Sequence, residues 1–158
     1  GCIGDDFNEA LLTAMLAVGY EIPKKNVMVS SGSARSKVDL LDGCRMLYEK
    51  GFQIYATAGT RKFLVDNGID NAIEVSWPDE HRDNNVMDMI AHHDFDLIIN
   101  VPKNYTKHEM TNGYKIRRAA VDHNIPLITN ARLAGAFIEA FCTIGKEDIP
   151  IKSWKEYK

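Results

Sequence analysis

The sequence predicts an α/β fold: a three-layer, doubly wound sheet of five parallel strands. Three observations carry this. Five short runs rich in β-branched residues are apolar on both faces, as strands covered by helices on each side require. Amphipathic helical stretches alternate with them over about 115 residues, which implies right-handed βαβ crossovers. The chain has 158 residues, 45% of them hydrophobic, with a formal net charge of −3. That suits one ordinary core needing no metal or disulfide staple.

The elements follow in order. Asp5–Val18 reads as a capped helix with Phe7, Leu11, Met15 and Val18 on one face. Such a helix needs an apolar partner, supplied either by this domain or by a preceding one. Tyr20–Lys25 is a Pro-containing polar linker, and Val27–Ser31 is the first strand. Ser33–Lys50 places Leu40, Cys44 and Leu47 at i, i+4, i+7, widened by Val38, Leu41 and Tyr48. Ser33 is its expected N-cap and Gly51 its left-handed terminator. Strand Phe52–Thr57 leads to a shorter helix, Arg61–Asn67, closed by Gly68. Strand Ala72–Ser76, helix Asn85–His92, strand Asp96–Val101 and helix Gly113–His123 come next. Strand Pro126–Thr129 and helix Ala131–Phe141 complete the unit, and a tail with Ile149, Pro150, Trp154 and Tyr157 is expected to drape over the surface.

Composition excludes several classes of function. A pI near 5.9 removes the global electrostatic case for nucleic acid or anionic membranes. No apolar run is long enough to span a bilayer. Cys2, Cys44 and Cys142 are scattered and odd in number, which supports neither a disulfide framework nor zinc. A reducing, cytoplasmic setting is the expectation. His81, His92, His93, His108 and His123 form no metal-ligand pattern, and no dinucleotide, Walker A or nucleophile-elbow motif occurs.

In open parallel sheets, ligands bind beyond the carboxyl ends of the strands. The loops there are Ser30–Ser33, Ala56–Thr60, Trp77–Glu80, Asn100–Asn104 and Thr129–Asn130. In Thr57-Ala58-Gly59-Thr60, a glycine turn, two hydroxyls and a helix N-terminus together suit a phosphate or carboxylate. The plainer reading, with Thr60 an N-cap and Gly59 a turn residue, weighs equally on spacing alone. Lys37 lies one turn past the serine-rich loop, within reach of an anion, although a helix lysine is more often solvated surface. Lys103 and Asn104 sit directly on a strand-end loop. Lys103–Arg118 carries five basic residues against Glu109, which favours a small anion over nucleic acid. Arg117 and Arg118 also have a surface role open to them, pairing with Asp122. Trp77 is a stacking wall or a hydrophobic lid, with the lid favoured on residue type. The loops Trp77–Asn85 and Lys103–Asn112 are long, polar and expected to be the parts that move.

The set VMVSSGS, YATAGT, DLIINVPKN, YKIRRAAVD and IPLITN, in this order and spacing, resembles the methylglyoxal-synthase-like domain. The resemblance covers roughly Asn26–Phe141 and is strongest to the version ending the large chain of carbamoyl phosphate synthetases. It implies a Rossmann-like or flavodoxin-like sheet and a regulatory rather than a catalytic role, serving pyrimidine and arginine biosynthesis. The leading GCIGDDFNEALLTAML is similar to the end of a preceding ATP-grasp half, so residues 1–25 are expected to derive from it and 26–158 to form the regulatory domain. A start at Gly1 then reads as the edge of a larger enzyme.

The resemblance also implies the ligands. Bacterial domains of this kind bind UMP and in some cases IMP, ornithine acts at a neighbouring interface, and mitochondrial relatives take N-acetylglutamate. The matching positions are Lys37, Thr57, Gly59, Thr60, Trp77, Asn100, Lys103 and Asn104, with Trp77 and Asn100 similar to the acylglutamate pattern. Expected partners are a small anionic effector, the rest of the large chain and a glutaminase small chain. The domain itself is expected to hold no cofactor, while the parent enzyme would use ATP and Mg. The rival is a phosphate-eliminating lyase acting on dihydroxyacetone phosphate, which needs a carboxylate base. Asp83 aligns loosely with that base, yet Val101-Pro102-Lys103-Asn104 replaces the lyase's Trp-Asp-Pro segment, and an Asp ahead of a helix is commonly an N-cap.

Overall fold

The computed structural model describes the backbone of residues 3–102 and 107–144, and the side chains of 7–102 and 111–144. In chain order the elements are α1 (Ile3–Ala17), β1 (Asn26–Ser31), α2 (Ala34–Glu49), β2 (Gln53–Ala56) and α3 (Ala58–Asp66). They continue with β3 (Ile73–Glu74), α4 (Val86–Ala91), β4 (Leu97–Val101), α5 (Lys107–Asp122), β5 (Leu127–Ile128) and α6 (Ala131–Ile144). The five strands are parallel in the order β3-β2-β1-β4-β5. The chain therefore winds outward from β1 to β3, returns, and winds the other way through β4 and β5. The direction reverses between β1 and β4, where a doubly wound sheet opens a crevice at its carboxyl edge.

Strand alternation sorts the core into two layers. Val27, Val29, Ile54, Leu97 and Ile99 pack with Leu40, Cys44 and Leu47 of α2, Leu64 of α3, and Phe137 and Ile138 of α6. Met28 and Ile98 face the other way, with Val86 and Ile90 of α4 and Ile116 and Ala120 of α5. Helices α2 and α6 approach closely at Gly43, where a Cβ would come within 3.2 Å of Ile138 Cδ1. Phe137, Phe141 and Phe52 interlock edge to face, and Tyr20 joins them through Phe137 at 6.0 Å.

Several boundaries differ from the sequence reading for physical reasons. Helix α1 belongs to this core, but it buries Asn8, Leu12 and Met15, while Phe7 is 58% and Val18 75% exposed. The helix is rotated toward Leu12, because its partner is a single helix, α6, and a narrow contact selects the central residues over those at the ends. Tyr20 of the linker donates to Leu127 O at 3.1 Å, tying the linker to β5. Helix α3 starts at Ala58 rather than Arg61, with Thr57 in the N-cap position, so Thr60 is not its cap. Helix α4 is capped by Asn85, whose side chain accepts from Met87 N at 2.9 Å; Asp83 is not the cap. Helix α5 is longer than the periodicity suggested. The tail residues Ile149, Pro150, Trp154 and Tyr157 lie outside the described residues.

Cys44 is fully buried in this core, and burial pushes its thiol up to about 12. Alkylation at pH 8 needs thiolate and access, both of which the core denies. Cys44 should therefore resist iodoacetamide in the folded protein and react fully in denaturant, as peptide mass spectrometry would show. Rapid labelling in the folded state would contradict this packing. No helix among the described residues is long and apolar enough to cross a membrane.

A candidate anion cavity at the carboxyl edge of the sheet

Helix N-termini and strand ends converge above the reversal point to line a cavity of about 190 Å³. Its walls are Ser30, Ser31 and Gly32 after β1, Lys37 of α2, Thr57, Gly59 and Thr60 at the start of α3, Trp77 after β3, Asn100–Pro102 of β4, and Gly113 of α5. Six residues singled out from the sequence meet here: Lys37, Thr57, Gly59, Thr60, Trp77 and Asn100. Lys103 and Asn104 lie outside the described residues.

The floor is a row across three strands. Ser30 pairs with Asn100 across β1 and β4, and Thr57 donates to Ser30 Oγ at 3.2 Å. Both threonines are 3% exposed, yet they act differently. Thr60 Oγ1 accepts from Ser31 N at 3.0 Å and reaches Ser31 O at 3.4 Å, latching α3 onto β1. Its hydroxyl is thus committed to the fold. Thr57 makes no side-chain capping bond, so the first-turn N–H groups of α3 keep neither an intrahelical nor a side-chain acceptor. A helix start left in this way attracts anions through its amides and its dipole.

A second set of bonds shapes the β1 end. Ser33 caps α2 through Ser36 N at 3.1 Å, and Ser36 Oγ bonds to Ser33 Oγ and to Ser31 Oγ. Gly32 N donates to Val101 O at 3.0 Å, closing β1 against β4. These serines hold Lys37 one turn into α2. Its ammonium lies over the turn, with Nζ 3.7 Å from where a Cβ on Gly59 would be. Lys37 is half-buried, not the solvated surface residue that its type favoured. No carboxylate and no histidine are among the cavity's described lining residues.

Trp77 packs against the α4–α5 core, as the lid reading expects, and it also lines the cavity. Its loop is held by several hydrogen bonds and ion pairs. Trp77 N donates to Glu80 Oε1 at 2.9 Å, and Asn85 Nδ2 donates to Glu80 O at 2.7 Å and Trp77 O at 3.1 Å. Arg82 ties Glu80 to Glu74. Asp83 is exposed and is not among the cavity residues; its carbonyl accepts from Ser76 Oγ at 3.4 Å. Among the described residues, no cluster of His, Cys, Asp or Glu is placed to hold a metal ion.

Gly113 escaped the sequence reading, and Arg117 entered it only as part of the basic run and as a surface pairing. Arg118 does pair with Asp122, at 3.2 Å, but Arg117 turns inward and donates from Nη1 to Asn100 Oδ1 at 2.7 Å. A glycine at i−4 from an arginine was the available signal, since the missing side chain leaves room for the longer one to fold back. The serine-rich loop was visible as a loop, but Ser30 and Ser31 were not singled out.

The chain is similar to known proteins. A family model described as the MGS-like domain matches residues 39–129. The chain is 36% identical over 166 aligned positions to the multifunctional protein CAD of Squalus acanthias, covering 96% of this chain and 7% of that one. It is 39% identical over 144 positions to the C-terminal section of the carbamoyl phosphate synthase large chain of Aquifex aeolicus, covering 91% of this chain and 26% of that one. The chain thus spans a small part of these relatives. Among solved structures, methylglyoxal synthase from Elizabethkingia anophelis NUHP1 superposes with a TM-score of 0.59 at 19% identity, covering 81% of this chain and 83% of that one. That likeness establishes the fold.

Proposed function

Because the chain belongs to the MGS-like domain family, we propose that it is an effector-binding regulatory domain of a carbamoyl phosphate synthase large chain. Its ligand is a small phosphorylated or carboxylated metabolite of the UMP, IMP or N-acetylglutamate kind, held at the carboxyl edge of the sheet. The observation that carries this reading is the cavity's charge: Lys37 and the start of α3 face it, and no described lining residue is acidic. Ser30, Thr57 and Asn100 add neutral polar groups suited to orienting an anion. A proton-abstracting enzyme would need a base at that point, and Asp83 lies elsewhere. Lys103 and Asn104 complete the proposed contact set. The free thiols of Cys44 and Cys142 suit a cytoplasmic protein.

Regulation requires that the effector favour one arrangement of this domain against the remainder of the large chain, which with its glutaminase small chain would use ATP and Mg. Differential contact worth about 1–3 kcal/mol is typical of such coupling. The hydrogen bond at Trp77 N and the Thr60 latch support a reading of the cavity as a rigid holding point. Isothermal titration of the chain with UMP, IMP and N-acetylglutamate tests the reading. At least one should bind saturably, and more tightly at low ionic strength. No heat from any of the three at millimolar concentration would contradict it. The same protein should release no methylglyoxal from dihydroxyacetone phosphate; release that Asp83→Asn abolishes would favour the lyase instead.

A further inference from the structure

Arg117 lies one helical turn past Gly113 on α5, and its guanidinium folds back over that glycine. A Cβ on Gly113 would sit 2.9 Å from Arg117 Nη1 and 3.6 Å from Asn100 Oδ1. From this position Nη1 donates to Asn100 Oδ1 at 2.7 Å. Asn100 is 3% exposed and lines the cavity. A guanidinium can only donate, so the bond settles which end of the Asn100 amide is oxygen. The other end, Nδ2, carries two N–H donors and finds no protein acceptor among the described residues.

We propose that Arg117 is a positioning residue that clamps Asn100 with its amide donors toward the cavity, so that the site selects a ligand with an acceptor oxygen at that point. Carboxylate, phosphate and ring-carbonyl oxygens share this chemistry; a group that can only donate does not. The inference rests on the anion-site reading above and adds to it a determinant on α5 that need not touch the ligand. Without the clamp, the amide turns freely and offers its oxygen as readily as its nitrogen.

Four variants, each titrated with inorganic phosphate, UMP and N-acetylglutamate and melted thermally, test this. Gly113→Ala should stay folded, because the better helix propensity of alanine offsets part of the lost Arg117–Asn100 bond, while its methyl group displaces the guanidinium. Its affinity for whichever probe the native chain binds should fall at least tenfold. Arg117→Met should lose a similar factor, and Arg117→Lys, whose ammonium can still donate to Asn100 Oδ1, should recover part of it. Asn100→Asp keeps the Arg117 contact and the fold but turns an acceptor-only oxygen toward the ligand, so binding should fall at least tenfold with no loss in melting temperature. A native chain that binds a probe, with Gly113→Ala and Arg117→Met within twofold of it, overturns the clamp alone. A native chain that binds none of the probes overturns the effector-site reading and the clamp with it.

Discussion

Lys37→Glu should weaken anion binding at the carboxyl-edge cavity by roughly a hundredfold while leaving the fold intact. The side chain is half-buried, its ammonium lies over the Gly59 turn, and the described lining residues include no carboxylate that would offset it. Two unit charges about 4 Å apart interact by about 4 kcal/mol at the effective dielectric of a partly exposed site. Charge reversal removes that attraction and adds repulsion, and solvent screening reduces both. A net loss of about 3 kcal/mol, roughly a hundredfold in affinity, is expected. Lys37→Gln should fall between native and Lys37→Glu, since it deletes charge without reversing it. Calorimetric titration in parallel with circular dichroism checks both points. Unchanged affinity in Lys37→Glu would show that the anion is held elsewhere.

Phe137→Ala should be the most destabilising single truncation of the core. Phe137 is fully buried on α6, meets Phe141 edge to face and Tyr20 at a tilt, and lies where α6 covers the sheet beside α1. Truncating a buried phenylalanine costs about 3–5 kcal/mol through lost burial and the cavity left behind. For a domain of this size that lowers the melting temperature by roughly 10 °C or more. Urea unfolding would measure it directly, and a loss under about 1 kcal/mol would mean that the site collapses around the smaller side chain. Because α1 joins the core through α6, its amides should also lose exchange protection first in this variant.

The sheet was legible in the sequence because each strand is a short β-branched run and each helix carries its own punctuation. Ser33 caps α2, and Gly51 and Gly68 take positive φ where the helices end, as their spacing implied. Thr57, Gly59 and Thr60 could be grouped because they are contiguous. What contiguity could not reveal is that Thr60 works for the fold while Thr57 leaves the first turn of α3 uncapped. That depends on Ser31, 29 residues away. The α1 face was misjudged for a similar reason: Phe7 and Val18 share a helical stripe with Met15, but only packing on α6 decides which part of the stripe is covered. Arg117 was hidden by its neighbour. The i+4 partner Asp122 offered Arg118 a local pairing, whereas the local sign for Arg117 was only the missing side chain of Gly113, and its partner is 17 residues back on β4.

The most direct test of the central claim, that a small anion is held where α3, Lys37 and Asn100 meet, is a nuclear magnetic resonance titration of the 15N-labelled chain. With UMP and N-acetylglutamate in turn, saturable shifts should cluster at the amides of Gly32, Ala58, Gly59 and Thr60 and at the side-chain amide of Asn100, and they should be largely lost in Lys37→Glu at the same concentrations. Saturable shifts centred instead on the groove between α2 and α6, or no saturable shift with either compound, would contradict the account.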